Sequence, residues 1–151
     1  MSSFAKAFQA KLYKQIPLVE FMRLSVTEIS DSQIIATAPI EPNINDKNTV
    51  FGGSSAALMT ICGWSLIKSN LEHQQIDNDV VIHQAKTDWV KAQEDDLIIE
   101  ANLDEAIIWR DIAYKLAANK GSLKVNVNCQ VLNTNREVCT TMMARFVILR
   151  K

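Results

Sequence analysis

A chain of 151 residues with 48% hydrophobic and 22% charged residues and a formal charge of −1 reads as one domain over residues 1–151, large enough to bury a core without disulfides or a metal. The near-neutral balance gives no basic footprint for nucleic acid, no run of about 18 apolar residues suits a membrane, and MSSFAKAFQAKLYKQ lacks the apolar core of a secretory signal. Cys62, Cys129 and Cys139 are odd in number and lack CxxC spacing, so they read as small buried hydrophobes in a reducing compartment, and the expected location is the cytoplasm.

Phe4, Ala7, Phe8 and Leu12 recur at helical spacing, and Ile16-Pro17 interrupts the run before Val19, Phe21 and Met22. Residues 24–39 predict a hairpin of two strands turning at Ser30-Asp31-Ser32, with Pro39 and Pro42 ending the second strand. The Asn-rich stretch from Glu41 to Thr49 has no periodicity and reads as a polar loop. Residues 52–69, GGSSAALMTICGWSLIKS, are the longest apolar stretch and predict a largely buried helix. Strand-like segments follow at about 79–91, 96–104 and 121–149, the last broken by Asn133-Thr134-Asn135; residues 105–118 fit a short helix or a strand continuation equally. One buried helix among many long strands implies an α+β fold with an antiparallel sheet wrapped around that helix. The edge and face left over make a homodimer a reasonable expectation.

Three of the four glycines lie between positions 52 and 63, although glycine is costly inside a helix. At a helix start, Gly52-Gly53 would let a ligand approach free N–H groups at the positive end of the helix dipole, a ready-made oxyanion site; close packing of the helix on the sheet is the plainer alternative. Gly63, deep in the helix, suits packing. Asn43, Asn45, Asp46, Lys47, Asn48 and Thr49 are ordinary turn residues, but Asn45 stands where its carboxamide N–H could converge with a backbone N–H on one oxygen.

Between Asp46 and Glu72 the only acidic or basic side chains are Lys47 and Lys68, so the helix itself supplies no general base. Asp46 and His83 are the substitutes, each with a structural or solvent-exposed role as its default. His73, near the helix C-terminus, is accounted for by the dipole, and Cys62 reads as an inert buried thiol. Ser54 and Ser55 follow the glycines without a GxSxG elbow, so capping or ligand hydrogen bonding suits them better than nucleophilic attack. Glu94-Asp95-Asp96 reads as a solvated turn.

Ala38-Pro39-Ile40, Pro42-Asn43-Ile44-Asn45, Thr49, Phe51-Gly52-Gly53-Ser54 and Gly63-Trp64 together resemble the hotdog domain family typified by the YiiD C-terminal domain. The resemblance runs from about Ile16 to Trp89 and implies a hotdog fold acting on acyl thioesters. Its members were long labelled thioesterases, and stand-alone members resemble malonyl-acyl-carrier-protein decarboxylases that supply acetyl-carrier protein for starting fatty acid synthesis. By that likeness Asn45 matches the active-site asparagine and Gly52-Gly53 the helix-opening glycines, while Phe51 stands where many other hotdog thioesterases have histidine. Gln84 takes a usually acidic position after the helix, and Asp88-Trp89-Val90-Lys91-Ala92 replaces an Arg-Tyr-Leu-Ala-Pro run.

The expected site is therefore Asn45 as catalytic residue, with Phe51, Gly52, Gly53, Ser54 and Gln84 binding substrate or oxyanion, and with no metal and no cofactor. Decarboxylation of a malonyl thioester needs an oxyanion hole and no water-activating base, which suits a helix without one. Hydrolysis of an acyl-CoA or acyl-carrier-protein thioester, with Asp46 or a residue of a second subunit as base, is the alternative, and a non-catalytic acyl-thioester binder is a third. The expected partners are acyl carrier protein or a CoA thioester and further copies of the chain, as a homodimer or dimer of dimers, and the resemblance implies a pantetheine arm lying along the dimer interface; neither nucleic acid nor membrane is expected.

Overall fold

The computed structural model describes residues 2–151. Helix α1 (Ser3–Gln15) is capped by Ser2, whose hydroxyl accepts the Ala5 N–H at 3.1 Å, and Pro17 opens the short α2 (Pro17–Phe21). The predicted hairpin follows as β1 (Ser25–Ile29) and β2 (Gln33–Ala38), its turn closed by the Ser30 hydroxyl accepting the amides of Ser32 and Gln33. Helix α3 (Gly52–His73) leads to β3 (Val80–Trp89) and β4 (Leu97–Leu103). Residues 105–118 resolve into a loop, a 3-10 turn at Trp109–Asp111 and α4 (Ile112–Ala118), after which β5 (Leu123–Leu132) and β6 (Val138–Ile148) complete the chain.

The strands form one antiparallel sheet in the order β1-β2-β4-β5-β6-β3. Helix α3, about 33 Å long at 1.5 Å per residue, lies across β2, β4, β5, β6 and β3 and carries the chain to the far edge of the sheet. Leu58, Met59, Cys62, Leu66 and Ile67 of α3 are fully buried against inward-facing residues such as Ile34, Ile99, Val131 and Phe146. From the other side α1 covers α3, with Phe8 and Leu12 in the same core and Lys11 ion-paired to Glu72.

Helix α3 runs four residues beyond the predicted 52–69. Asn70, a poor helix former on propensity, is retained because its Nδ2 donates to Leu66 O at 2.8 Å and to Ser30 O at 3.0 Å, a contact forty residues away that local sequence does not announce. His73 ends the helix and stacks on Phe4 with ring centroids 4.1 Å apart.

Gly63 has the packing role expected of it: a Cβ there would stand 2.7 Å from the Phe146 ring, which is fully buried and has no room to withdraw. Gly63→Ala is therefore expected to lower stability by about 1–3 kcal/mol through overpacking, despite alanine's better helix propensity; denaturant unfolding with an unchanged m-value would register it.

Candidate active site

The loop before α3 is organised by two asparagines. Asn43, 1% exposed, donates its Nδ2 hydrogens to Met22 O at 3.1 Å and Pro39 O at 2.8 Å, while its own backbone carbonyl accepts the Phe51 N–H at 2.7 Å. It thus ties the end of α2, the end of β2 and the residue before α3 into one knot. Beyond it an Ile44–Val50 bridge closes a small loop. Asn45 Oδ1 accepts the amides of Lys47 at 2.8 Å and Thr49 at 3.1 Å, and one Nδ2 hydrogen goes to Thr49 Oγ1 at 2.8 Å. Asn48 takes a positive φ of 62°, which asparagine tolerates, to complete the turn. The Asn45 carboxamide is thereby held rigidly, with its second Nδ2 hydrogen finding no acceptor among the described residues.

Phe51 precedes α3 without a side-chain cap; its carbonyl accepts the amides of Ser54 and Ser55, whereas those of Gly52 and Gly53 meet no acceptor among the described residues. Two bare N–H groups at the positive end of a long helix favour an anionic oxygen. A Cβ on Gly52 would lie 2.9 Å from Trp89 Nε1, and one on Gly53 would lie 2.5 Å from the exposed Phe51 ring. Packing of the helix against the sheet accounts for Gly52, which faces Trp89 of β3, while the close neighbour of Gly53 is the exposed Phe51 ring; the amides of both stay open.

Beside this helix start lies a cavity of about 200 Å³ walled by Val50, Gly52, Ser55, Trp89, Gln93 and Thr140. The Trp89 indole donates to Gly52 O at 3.0 Å. Ser55 and Thr140 are 2% and 3% exposed, and their hydroxyls make no hydrogen bond among the described residues, leaving both for a ligand. Lys91 is the one charged residue on the cavity wall, and its ammonium is committed to Glu137 Oε2, a bond that holds its pKa above the ordinary lysine value.

The other predicted residues are placed as follows. Ser54 is half-buried in the first turn of α3, and Phe51, 56% exposed, lays its ring over Gly53. Gln84 is not brought to this cavity within one chain. A bulge between Ile82 and Gln84 shifts the β3 register so that Gln84 pairs with Arg145 and shares with Asn126 and Asn128 a separate cleft on the outer face of the sheet. Asp46 is exposed and ion-paired to Lys47, and His83, exposed at the bulge, lies off the cavity wall. Asp95 and Asp96 do more than face solvent: they accept from Thr134 and from the Ile40 amide, stapling their turn to β2 and to the β5–β6 turn.

Cys62 is fully buried, which drives its thiol far above the ordinary range, and burial pushes Cys129 up to about 12, so neither is a nucleophile. No group of three His, Cys, Asp or Glu side chains is placed to hold a metal ion among the described residues. A larger cleft, about 650 Å³, sits at the opposite end of α3 around Asn70, His73 and Trp109 and contains none of the predicted site residues.

The profile of the family described as "Putative thioesterase (yiiD_Cterm)" matches residues 5–150, reaching past both ends of the stretch that carried the resemblance. The chain belongs to this family. Among solved structures, a "putative thioesterase" from Shewanella oneidensis is 20% identical, each chain covering 99% of the other, with a TM-score of 0.85. A protein of unknown function from Chlorobaculum tepidum is 20% identical, covering 97% of this chain and 94% of its own, at a TM-score of 0.83. A thioesterase from Haemophilus influenzae is 11% identical over 99% of this chain and 93% of its own, at 0.77. At such identities the likeness establishes the fold, which is the hotdog fold, with α3 as the helix the sheet wraps. Among the described residues no helix of this YiiD_C family member is long and apolar enough to cross a membrane.

Proposed function

We propose that the protein decarboxylates a malonyl thioester, giving the acetyl thioester on acyl carrier protein or CoA. The observation that carries this reading is the unbonded Gly52 and Gly53 amides at the start of α3, where Gly52 borders a cavity whose wall holds no acid, no histidine and only the ion-paired Lys91. Cleavage of the bond between the carboxylate carbon and the α-carbon releases carbon dioxide and sends the electron pair onto the thioester oxygen. The resulting enolate oxygen is held by the helix amides and the remaining Asn45 Nδ2 hydrogen, and the α-carbon then takes a proton from water. Donors fixed before the reaction contribute most when charge develops, which the locked Asn45 carboxamide satisfies. Ser55 and Thr140 hydrogen-bond the departing carboxylate without the fixed cation that would stabilise its ionised ground state.

The open edge of β3 supports a homodimer built by strand pairing. Ten residues long, it pairs among the described residues with β6 alone, and Val81, Ile82 and Trp89 are 42%, 40% and 58% exposed along it. That edge also favours one second reading, hydrolysis: His83 at its bulge is where a second copy would meet it and would bring a base that one chain lacks. Mass-spectrometric product analysis with malonyl-carrier protein separates the two. Acetyl-carrier protein is the expected product; malonate with free carrier thiol would establish hydrolysis instead, and an unchanged substrate with saturable binding would mean a binding protein.

A further inference from the structure

We infer that Trp89 is the specificity-determining residue of this site, a fixed wall that restricts the acyl group to short chains. The inference rests on the proposed acyl-thioester reading and adds the class of acyl group. At about 200 Å³ the cavity falls below the roughly 300–1,000 Å³ of pockets for drug-sized ligands. That volume suits a malonyl or similarly small acyl group better than an extended chain.

Three observations make the wall rigid. The indole N–H is anchored on Gly52 O at 3.0 Å, so the ring is tied to the same residue whose amide opens the oxyanion site. The glycine is what lets the ring lie there, since a Cβ at position 52 would stand 2.9 Å from Nε1 and 3.4 Å from two ring carbons. The backbone directly after Trp89 is pinned as well: the amides of Val90 and Lys91 both donate to Cys139 O, at 2.8 and 3.0 Å. The remaining walls do not yield either. Val50 N–H is bonded to Gln93 O at 2.8 Å, and the Gln93 carboxamide is itself clamped on Asp96 O and Leu132 O at 2.9 and 3.0 Å. Ser55 and Thr140 close the cavity with buried hydroxyls, a polar end that suits a carboxylate and rejects methylenes. Trp89, 58% exposed, thus forms the wall between Gly52 and solvent, and on the proposed reading a longer chain would have to pass it.

The test is calorimetric binding of 2-oxopropyl, 2-oxohexyl and 2-oxododecyl thioethers, carried on CoA and on the phosphopantetheine arm of acyl carrier protein. The proteins are the full chain and its Trp89→Ala, Trp89→Leu and Trp89→Phe variants, each checked for folding by circular dichroism. Wild type is expected to bind the 2-oxopropyl probe at least tenfold more tightly than the 2-oxododecyl probe. Trp89→Ala reverses that order, Trp89→Leu shifts it in the same direction, and Trp89→Phe, which retains a ring, keeps it. Equal affinity of wild type for all three probes, or an unchanged order in both the alanine and leucine variants, overturns the inference while leaving the thioester reading intact. Failure of every protein to bind any probe overturns both.

Discussion

Asn45→Ala is expected to slow malonyl decarboxylation roughly a hundredfold or more, the loss of about 2.7–4 kcal/mol that removal of one oxyanion donor typically brings. Alanine also deletes the bonds that Asn45 makes to the amides of Lys47 and Thr49 and to the Thr49 hydroxyl, so a slow variant alone would not separate chemistry from loop collapse. Asn45→Asp does separate them. An aspartate keeps an oxygen for both amides and turns the Thr49 hydroxyl into a donor towards its second oxygen, which preserves the turn. It removes the free N–H and puts a negative charge where the enolate oxygen develops. The expected orders therefore cross: in kcat, wild type exceeds Asn45→Ala, which exceeds Asn45→Asp, whereas in melting temperature Asn45→Asp lies near wild type and Asn45→Ala below both. Single-turnover kinetics with thermal unfolding of the same preparations tests this. Activity retained by Asn45→Asp would remove Asn45 from the oxyanion site.

The fold was legible wherever local chemistry dictates it. Ser30-Asp31-Ser32 turns the first hairpin, Pro39 and Pro42 end β2, and the small-residue run from Gly52 becomes the helix the sheet encloses. Legibility stopped where a distant contact decides. The last turn of α3 depends on the Ser30 carbonyl, and the 3-10 turn at Trp109 is fixed by its indole donating to Asp31 O at 2.7 Å. The site shows the same division. Asn45 and the glycine pair stand out by spacing and resemblance, whereas Thr140 and Gln93 reach the cavity only through strand register and loop closure. Gln84 shows the cost of one residue. Counting by twos from Ile82 puts it on the helix side of β3, and the single bulged residue His83 turns it to the outer face. Trp89 was visible only as a departure from the usual run after the helix, with no indication that the residue making room for its indole is Gly52.

Asn43 is an ordinary turn residue by composition, and its position in the knot gives the second large expected effect. Asn43→Ala leaves the carbonyls of Met22 and Pro39 without their donor in a place closed to water. Part of that loss is recovered, because the variant also removes Asn43 Oδ1, a buried acceptor with no partner. The net cost is about 1–3 kcal/mol, or a fall of roughly 2–12 °C in melting temperature for a chain of this size. The effect on catalysis is expected to be larger than this stability loss suggests. The Asn43 backbone holds the Phe51 N–H, and Phe51 sets where the Gly52 and Gly53 amides begin, so a small shift of the knot moves the oxyanion donors against the rigid Asn45 loop. Misplacement by about 1 Å can cost on the order of a hundredfold, and a drop in kcat of roughly ten- to a hundredfold, measured well below the melting temperature with KM little changed, is the expected signature of a positioning residue. An Asn43→Ala protein that melts early but turns over at the wild-type rate would confine Asn43 to stability.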